Sequence, residues 1–154
     1  MKAVKRLSVL VMLLGLVAIV IGGVFVGLGA ARDAELKEAM RVEHVSLGIE
    51  GAEQTGQVID SLSEAKTAGD TIREHRRGIA SSYDDLLGEG RYDPTNPSHL
   101  SYAQALNLEN YLYLAVVAFG LTQAVMGTGA FMLIVGLALG GTGFALYKVS
   151  KQLP

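Results

Sequence analysis

Two long stretches without a charge, one near each end of the chain, limit the fold more than any other feature. From Leu7 to Ala31 there are 25 uncharged residues, enough for a helix to cross a hydrocarbon layer roughly 30 Å thick. Fifteen of them are Leu, Ile, Val or Phe. At about −0.3 to −0.6 kcal/mol each, these supply roughly −5 to −9 kcal/mol of insertion free energy. A cleaved signal peptide is the rival reading, because Lys2, Lys5 and Arg6 precede the run and Gly29-Ala30-Ala31 are small. Signal cores are usually about 7–15 residues, and this run is longer. The second run, Tyr111 to Tyr147, has 37 residues. As a helix it would be on the order of 55 Å long, too long for one crossing. A hairpin breaking near Gly127-Thr128-Gly129 would leave a short first arm containing Gln123, with no proline or charged turn at the reversal. One helix that begins outside the membrane is expected, crossing somewhere between Val116 and Tyr147, with Tyr147 and Lys148 as interfacial anchors.

Charge adds an orientation. The N-terminal tail carries Lys2, Lys5 and Arg6, the C-terminal tail carries Lys148 and Lys151, and neither holds an acid. All 15 Asp and Glu fall between Asp33 and Glu109. Basic residues stay cytoplasmic, so both tails are expected inside and the acidic middle outside. The absence of cysteine excludes disulfides, thiolate metal sites and cysteine nucleophiles. No basic stripe points to nucleic acid. The expected fold is an all-α membrane protein: tail 1–6, transmembrane helix 7–31, extracytoplasmic helical domain 32–110, long helix 111–147 with the second crossing, and tail 148–154.

Within the middle segment, Arg32 to about Glu43 continues the first helix. Val45 to Val58, with Gly48, Gly51 and Gly56, reads as a short strand or irregular loop. Ser61 with Glu64 forms a capping box that opens a second helix, with Leu62, Ala65, Ile72 and Ile79 on its buried face and Gly69 against it. Ser81 to Pro97 holds two glycines and two prolines and reads as loop. Ser101 with Gln104 is a second capping box, opening a helix that runs on into the apolar segment.

Side chains that could carry function are few. Gly23 and Gly27, extended by Ala31, repeat small residues every four positions. So do Gly136 and Gly140, extended upstream by Gly120, Ala124 and Thr128. In lipid such stripes let helix backbones approach closely, within the chain or between copies; ordinary glycine richness of membrane helices is the bland alternative. Gln123 is either a polar contact between helices or an interfacial residue. Arg73, Arg76 and Arg77 form the densest charge cluster, a contact for an anion or lipid headgroup, or a solvated face. His44, His75 and His99 lack the i, i+3 or i, i+4 spacing of metal ligands. No nucleophile–base pair, carboxylate pair, Walker loop or dinucleotide fingerprint is present, and no cofactor is indicated.

The stretches Ser101-Tyr102-Ala103-Gln104, Ala115-Val116-Val117-Ala118-Phe119-Gly120 and Val125-Met126-Gly127 resemble a family of small bacterial membrane proteins, mostly from high-GC Gram-positive lineages. These are often labelled hypothetical or "aromatic ring-opening dioxygenase LigA". Ala68-Gly69-Asp70-Thr71-Ile72-Arg73-Glu74-His75 is similar to that family's pattern before its second helix. The resemblance covers roughly residues 66–140 and implies the layout helix, outer domain, helix. The dioxygenase label would require iron held by two histidines and a carboxylate, a set these residues do not mark. A non-enzymatic accessory, scaffold or self-associating subunit is therefore expected, in contact with the bilayer and with copies of itself or a larger membrane complex. An extracytoplasmic ligand- or lipid-sensing module is the second expectation, and an enzyme the third.

Overall fold

The computed structural model describes residues 2–48 and 56–152. Among them are four helices: α1 (Lys2–Val42), α2 (Leu62–Ile79), α3 (Tyr83–Leu87) and α4 (Pro97–Gln152). The only extended pairing among the described residues is one antiparallel bridge, Ser46 to Val58. It falls in the region expected to be strand or loop, of which residues 49–55 lie outside the described residues. The 37-residue apolar run is one uninterrupted helix, continuous with the segment before it. Contacts divide the chain into two units: Met1–Asp33 with Leu121–Pro154, and Ala34–Gly120.

The first unit is a pair of antiparallel helices whose fully buried positions are all small residues, with Met12, Ile19, Phe25, Met126 and Leu133 packed beside them. On α1 the buried positions are Ser8, Gly15, Gly22 and Gly29; on α4 they are Thr122, Gly129, Gly136 and Gly143. Both series step by seven. A seven-residue step is slightly under two helical turns, so it keeps one narrow strip facing its partner and gives a left-handed crossing. The strips run past each other in strict register. A Cβ on Gly143 would lie 2.9 Å from the Ser8 carbonyl oxygen, and one on Gly136 would lie 2.7 Å from that of Gly15. One on Gly129 would lie 2.7 Å from that of Gly22, and one on Gly29 would meet the Thr122 carbonyl at 3.1 Å. The backbones thus touch where side chains would normally intervene. At the Ser8 end the hydroxyl donates to the Lys5 carbonyl (2.9 Å), and at the other end Thr122 Oγ1 donates to Asp33 Oδ1 (3.3 Å).

The second unit has an ordinary apolar core. Leu47, Ile59, Ala65, Ala68, Ile72, Ala105 and Leu112 are buried together, flanked by Met40, Leu108, Ala115 and Val116. Helix α2 starts as its capping residues dictate. Ser61 Oγ accepts from the Glu64 amide (3.3 Å) while Glu64 Oε2 accepts from the Asp60 amide (3.1 Å). Arg41 near the end of α1 reaches Asp60 (Nε–Oδ2 2.8 Å) and so ties that end to the start of α2. Ala65 and Ile72 are buried as expected, whereas Leu62 and Ile79 are half-buried. Gly69 lies under the Tyr113 ring, where an added Cβ would sit 3.3 Å from Cζ.

Two expectations are corrected. Residues 81–97 are not wholly loop. Ser82 Oγ caps the Asp85 amide (3.0 Å) and opens the single-turn helix α3, which Gly88 closes at φ 55° with its amide on the Asp84 carbonyl (2.9 Å). Helix α4 also begins four residues before Ser101. Asn96 Oδ1 accepts from the Ser98 amide (2.9 Å) and Pro97 takes the first helical position, where its missing N–H costs nothing. The Asn-Pro pair read as a turn is therefore a helix start.

Candidate functional site

Two features of the described residues concentrate physical chemistry: a buried charge network in the 34–120 unit and the small-residue seam in the helical pair.

The network is built on α4 around Glu109, which is 7% exposed. Tyr102, Ala105, Glu109 and Leu112 share one face of α4 by their spacing, so the carboxylate points inward with the apolar core. It is matched from α2 by two arginines three residues apart. Arg76 Nε donates to Glu109 Oε2 (2.7 Å) and Arg73 Nε donates to Oε1 (3.0 Å). Arg76 also donates to the Tyr102 hydroxyl (2.5 Å), with its guanidinium 5.0 Å from that ring's centroid. Arg73 lies 4.5 Å over the Tyr113 ring and 3.6 Å from Asp70. Asp70 in turn accepts from the Tyr113 hydroxyl (2.5 Å) and from Lys66 Nζ (2.7 Å). Positive and negative groups alternate from Lys66 to Arg76.

Protonation follows from this arrangement. Burial by itself would raise the Glu109 carboxyl, but the hydrogen bonds from Arg76 and Arg73 outweigh it and hold the group below the ordinary carboxylate value. The same contact with Glu109 raises Arg76 and Arg73. Asp70 is held low by Lys66 first and Tyr113 second. Tyr113 is pushed up to about 12, by burial first and then by its bond to Asp70. Glu109, Asp70, Arg73 and Arg76 therefore stay charged, and Tyr113 stays protonated, near neutral pH. The cluster locks α2 onto α4.

The sequence singled out Arg73, Arg76 and Arg77 as an anion contact. Two of the three reach an anion inside the protein, Glu109, while Arg77 is exposed. Sequence reasoning missed Glu109, Tyr102 and Tyr113. A readable signal existed: Glu109 is the only Asp, Glu, Lys or Arg between Asp93 and Lys148, and it sits on the helix face that carries Ala105 and Leu112.

Of the small residues singled out in the apolar helices, Gly136 lies in the seam, and Gly140 lines it, its amide 2.7 Å from where a Gly15 Cβ would be. Gly23 and Gly27 are exposed, with open space around a Cβ. Ala31, Ala124 and Thr128 are also exposed, with the Thr128 hydroxyl donating to the Ala124 carbonyl (2.9 Å). Gly120 belongs to the other unit, where an added Cβ would approach Leu62 (3.7 Å). Gln123 is exposed beside Thr122. The seam's other members, Ser8, Gly15, Gly22, Gly29, Thr122, Gly129 and Gly143, were missed because the search used a four-residue step and the pairing uses seven.

Among the histidines, His44 (at φ 47°) and His75 are exposed, and His99 Nδ1 accepts from the Asp93 amide (2.9 Å) beside the stacked Tyr92 ring. Among the described residues no three His, Asp or Glu converge as metal ligands. Among the described residues, clefts of the 34–120 unit include one of about 250 Å³ lined by His75, Ile79, Pro97, Ser98 and Ser101, and one of about 390 Å³ lined by Asn110, Tyr113, Leu114 and Val117. Comparison with known proteins finds no matching family model, no matching curated protein and no matching solved structure.

Proposed function

We propose that the chain is a two-span membrane protein with both termini cytoplasmic and residues 32–110 outside, and that it acts by assembling with further copies of itself. α1 and α4 are both long and apolar enough to cross a bilayer. Their outward faces carry large apolar side chains that a soluble protein would hide; Leu137 is 67% exposed and Phe131 65%. The antiparallel register places the counterpart of 7–31 at about residues 121–144 of α4. Lys5 and Arg6 then share an end with Lys148 and Lys151, as cytoplasmic retention of basic residues requires.

One observation carries the assembly reading. The intrachain seam uses Gly15, Gly22 and Gly29, so the Gly23–Gly27–Ala31 stripe is left facing outward with room for another backbone. A four-residue small stripe is the pattern of close, right-handed helix pairing in lipid. The cysteine-free chain allows a direct test: Val24→Cys, half-exposed beside the stripe, is oxidised in native membranes. The expected result is a crosslinked dimer that disappears when Gly23 and Gly27 are both changed to Ile. Absence of crosslinking, together with a single-chain mass in mild detergent, would sink the assembly reading.

The two clefts of the 34–120 unit support a second reading, ligand or lipid sensing by the outer segment. Proteins that select by apolar pockets hold roughly 300–1,000 Å³, and the cleft beside Tyr113 reaches that size.

A further inference from the structure

One end of the helical-pair unit collects positive charge from both helices. The seam sets Ser8 against Gly143 and keeps that register, so Lys5 lies level with Leu146 and Arg6 with Ala145. Lys148 and Lys151 follow on α4. Their ammonium groups lie back along the helix, over the Phe144 ring (5.0 Å) and the Tyr147 ring (4.7 Å), one turn nearer the apolar run than their own Cα atoms. Both ammoniums thus reach the level at which Lys5 and Arg6 leave α1. All four basic side chains are exposed. A ring contact leaves an ammonium with donors for an anion. The one Asp or Glu of this unit, Asp33, stands at the opposite end, about 42 Å along α1 from Lys5 at 1.5 Å per residue. That is several times the roughly 8 Å over which charges are felt in physiological salt, so no acidic side chain of the unit compensates the four cations. The surface beside them is apolar, with Leu7, Leu10, Phe144 and Val149 half or more exposed.

We propose that this collar of Lys5, Arg6, Lys148 and Lys151 binds anionic phospholipid of the cytoplasmic leaflet, its phosphates meeting cations of both helices and its acyl chains lying against the apolar residues alongside. The proposal rests on the membrane reading above and adds the lipid class and the residues that select it. Charge and polarity together favour a lipid over an acidic protein. Cations within a turn of Leu7 and Phe144 match the boundary between headgroup and acyl chain, where long basic side chains keep their charge in the polar layer while their stems cover apolar surface. The glycine seam contributes by letting the backbones touch, which brings the cations of α1 and α4 nearer to one another than larger side chains would allow. A zwitterionic headgroup carries its own ammonium and gains less from the same collar.

The chain has no tryptophan, so one introduced tryptophan reports on one place. Leu146→Trp, level with Lys5, reports on the collar, and Ile134→Trp, 66% exposed, reports from about three turns deeper. Each full-length protein is reconstituted into phosphatidylcholine vesicles containing an equal small fraction of phosphatidylglycerol or phosphatidylcholine brominated on its acyl chains. Leu146→Trp should be quenched with an apparent affinity about fivefold or more greater for the brominated phosphatidylglycerol, fivefold being the factor that one cation near an anionic surface supplies. Lys5→Gln with Arg6→Gln should lower that preference, Lys148→Gln with Lys151→Gln should lower it too, and all four changes together should bring the ratio to one. Ile134→Trp, with or without the four changes, should be quenched alike by both lipids. Equal quenching at Leu146→Trp would leave the cations to an acidic protein and overturns the proposal. So does a preference that survives all four changes, or one that stays whole when either pair is removed. No quenching at Ile134→Trp by either lipid in the otherwise unchanged protein would instead overturn the membrane reading beneath it.

Discussion

Glu109 is the residue on which the 34–120 unit depends most, because among the described residues it is the one carboxylate buried with two guanidiniums on it. Removing one partner of a buried pair leaves uncompensated charge. Glu109→Ala should therefore destabilise this unit by about 3 kcal/mol, read as a lower denaturant midpoint in detergent. Glu109→Gln, which keeps an acceptor, should cost less. The network also makes an acid limit. Glu109 and Asp70 titrate below their ordinary values in the folded protein, so the stability they supply is complete above their unfolded values near pH 4 and is lost as pH falls through the depressed ones. Tyr113 works in the opposite direction. With its hydroxyl raised to about 12, its contribution is complete below pH 10 and lost as pH climbs toward 12. The near-ultraviolet circular dichroism of this tryptophan-free chain comes from its tyrosines and phenylalanines. It should stay flat from about pH 5 to 10 and collapse on both sides. A signal unchanged down to pH 2 would show that the network does not hold the unit together.

Helix α1 is apolar around much of its circumference, so polarity alone does not say which strip meets α4. The seam is selected by size. Adjacent glycines separate the two possibilities: a Cβ at Gly22 would lie 2.7 Å from the Gly129 carbonyl oxygen, and at Gly23 it would meet nothing within 4 Å. Gly22→Ala should cost about 1–3 kcal/mol as overpacking. Gly23→Ala should leave helix pairing unchanged or slightly stabilised by its helix propensity. Both effects can be measured as resistance of the helical pair to sodium dodecyl sulfate. Equal behaviour of the two variants would mean that the seven-residue seam is not the packing surface. The same contrast explains why reading small residues at four-residue spacing reached Gly136 and Gly140 and passed over Gly15, Gly22 and Gly129. Both spacings bring small residues onto one face, and only the partner helix distinguishes them. Helix beginnings were more legible where the signal is local: the Ser61 cap reads directly from the sequence, while the Ser101 pair lost to Asn96-Pro97 four residues earlier.

For the whole molecule, the proposed topology predicts which residues a reagent outside the cell can reach. In the cysteine-free background, Ser81→Cys should react with a membrane-impermeant maleimide in intact cells. Lys151→Cys should react only after permeabilisation. The opposite pattern would overturn the assignment of sides. The helical class, two apolar helices at the ends and a charged segment between them are properties of composition and order along the chain. They are written in the sequence because solvation acts on each residue separately. Which turn of α4 lies opposite which turn of α1, and that the arginines of α2 reach Glu109 rather than solvent, are relations between residues 33 to 135 positions apart. Such relations depend on backbone approach and on which faces meet, so only the tertiary structure decides them.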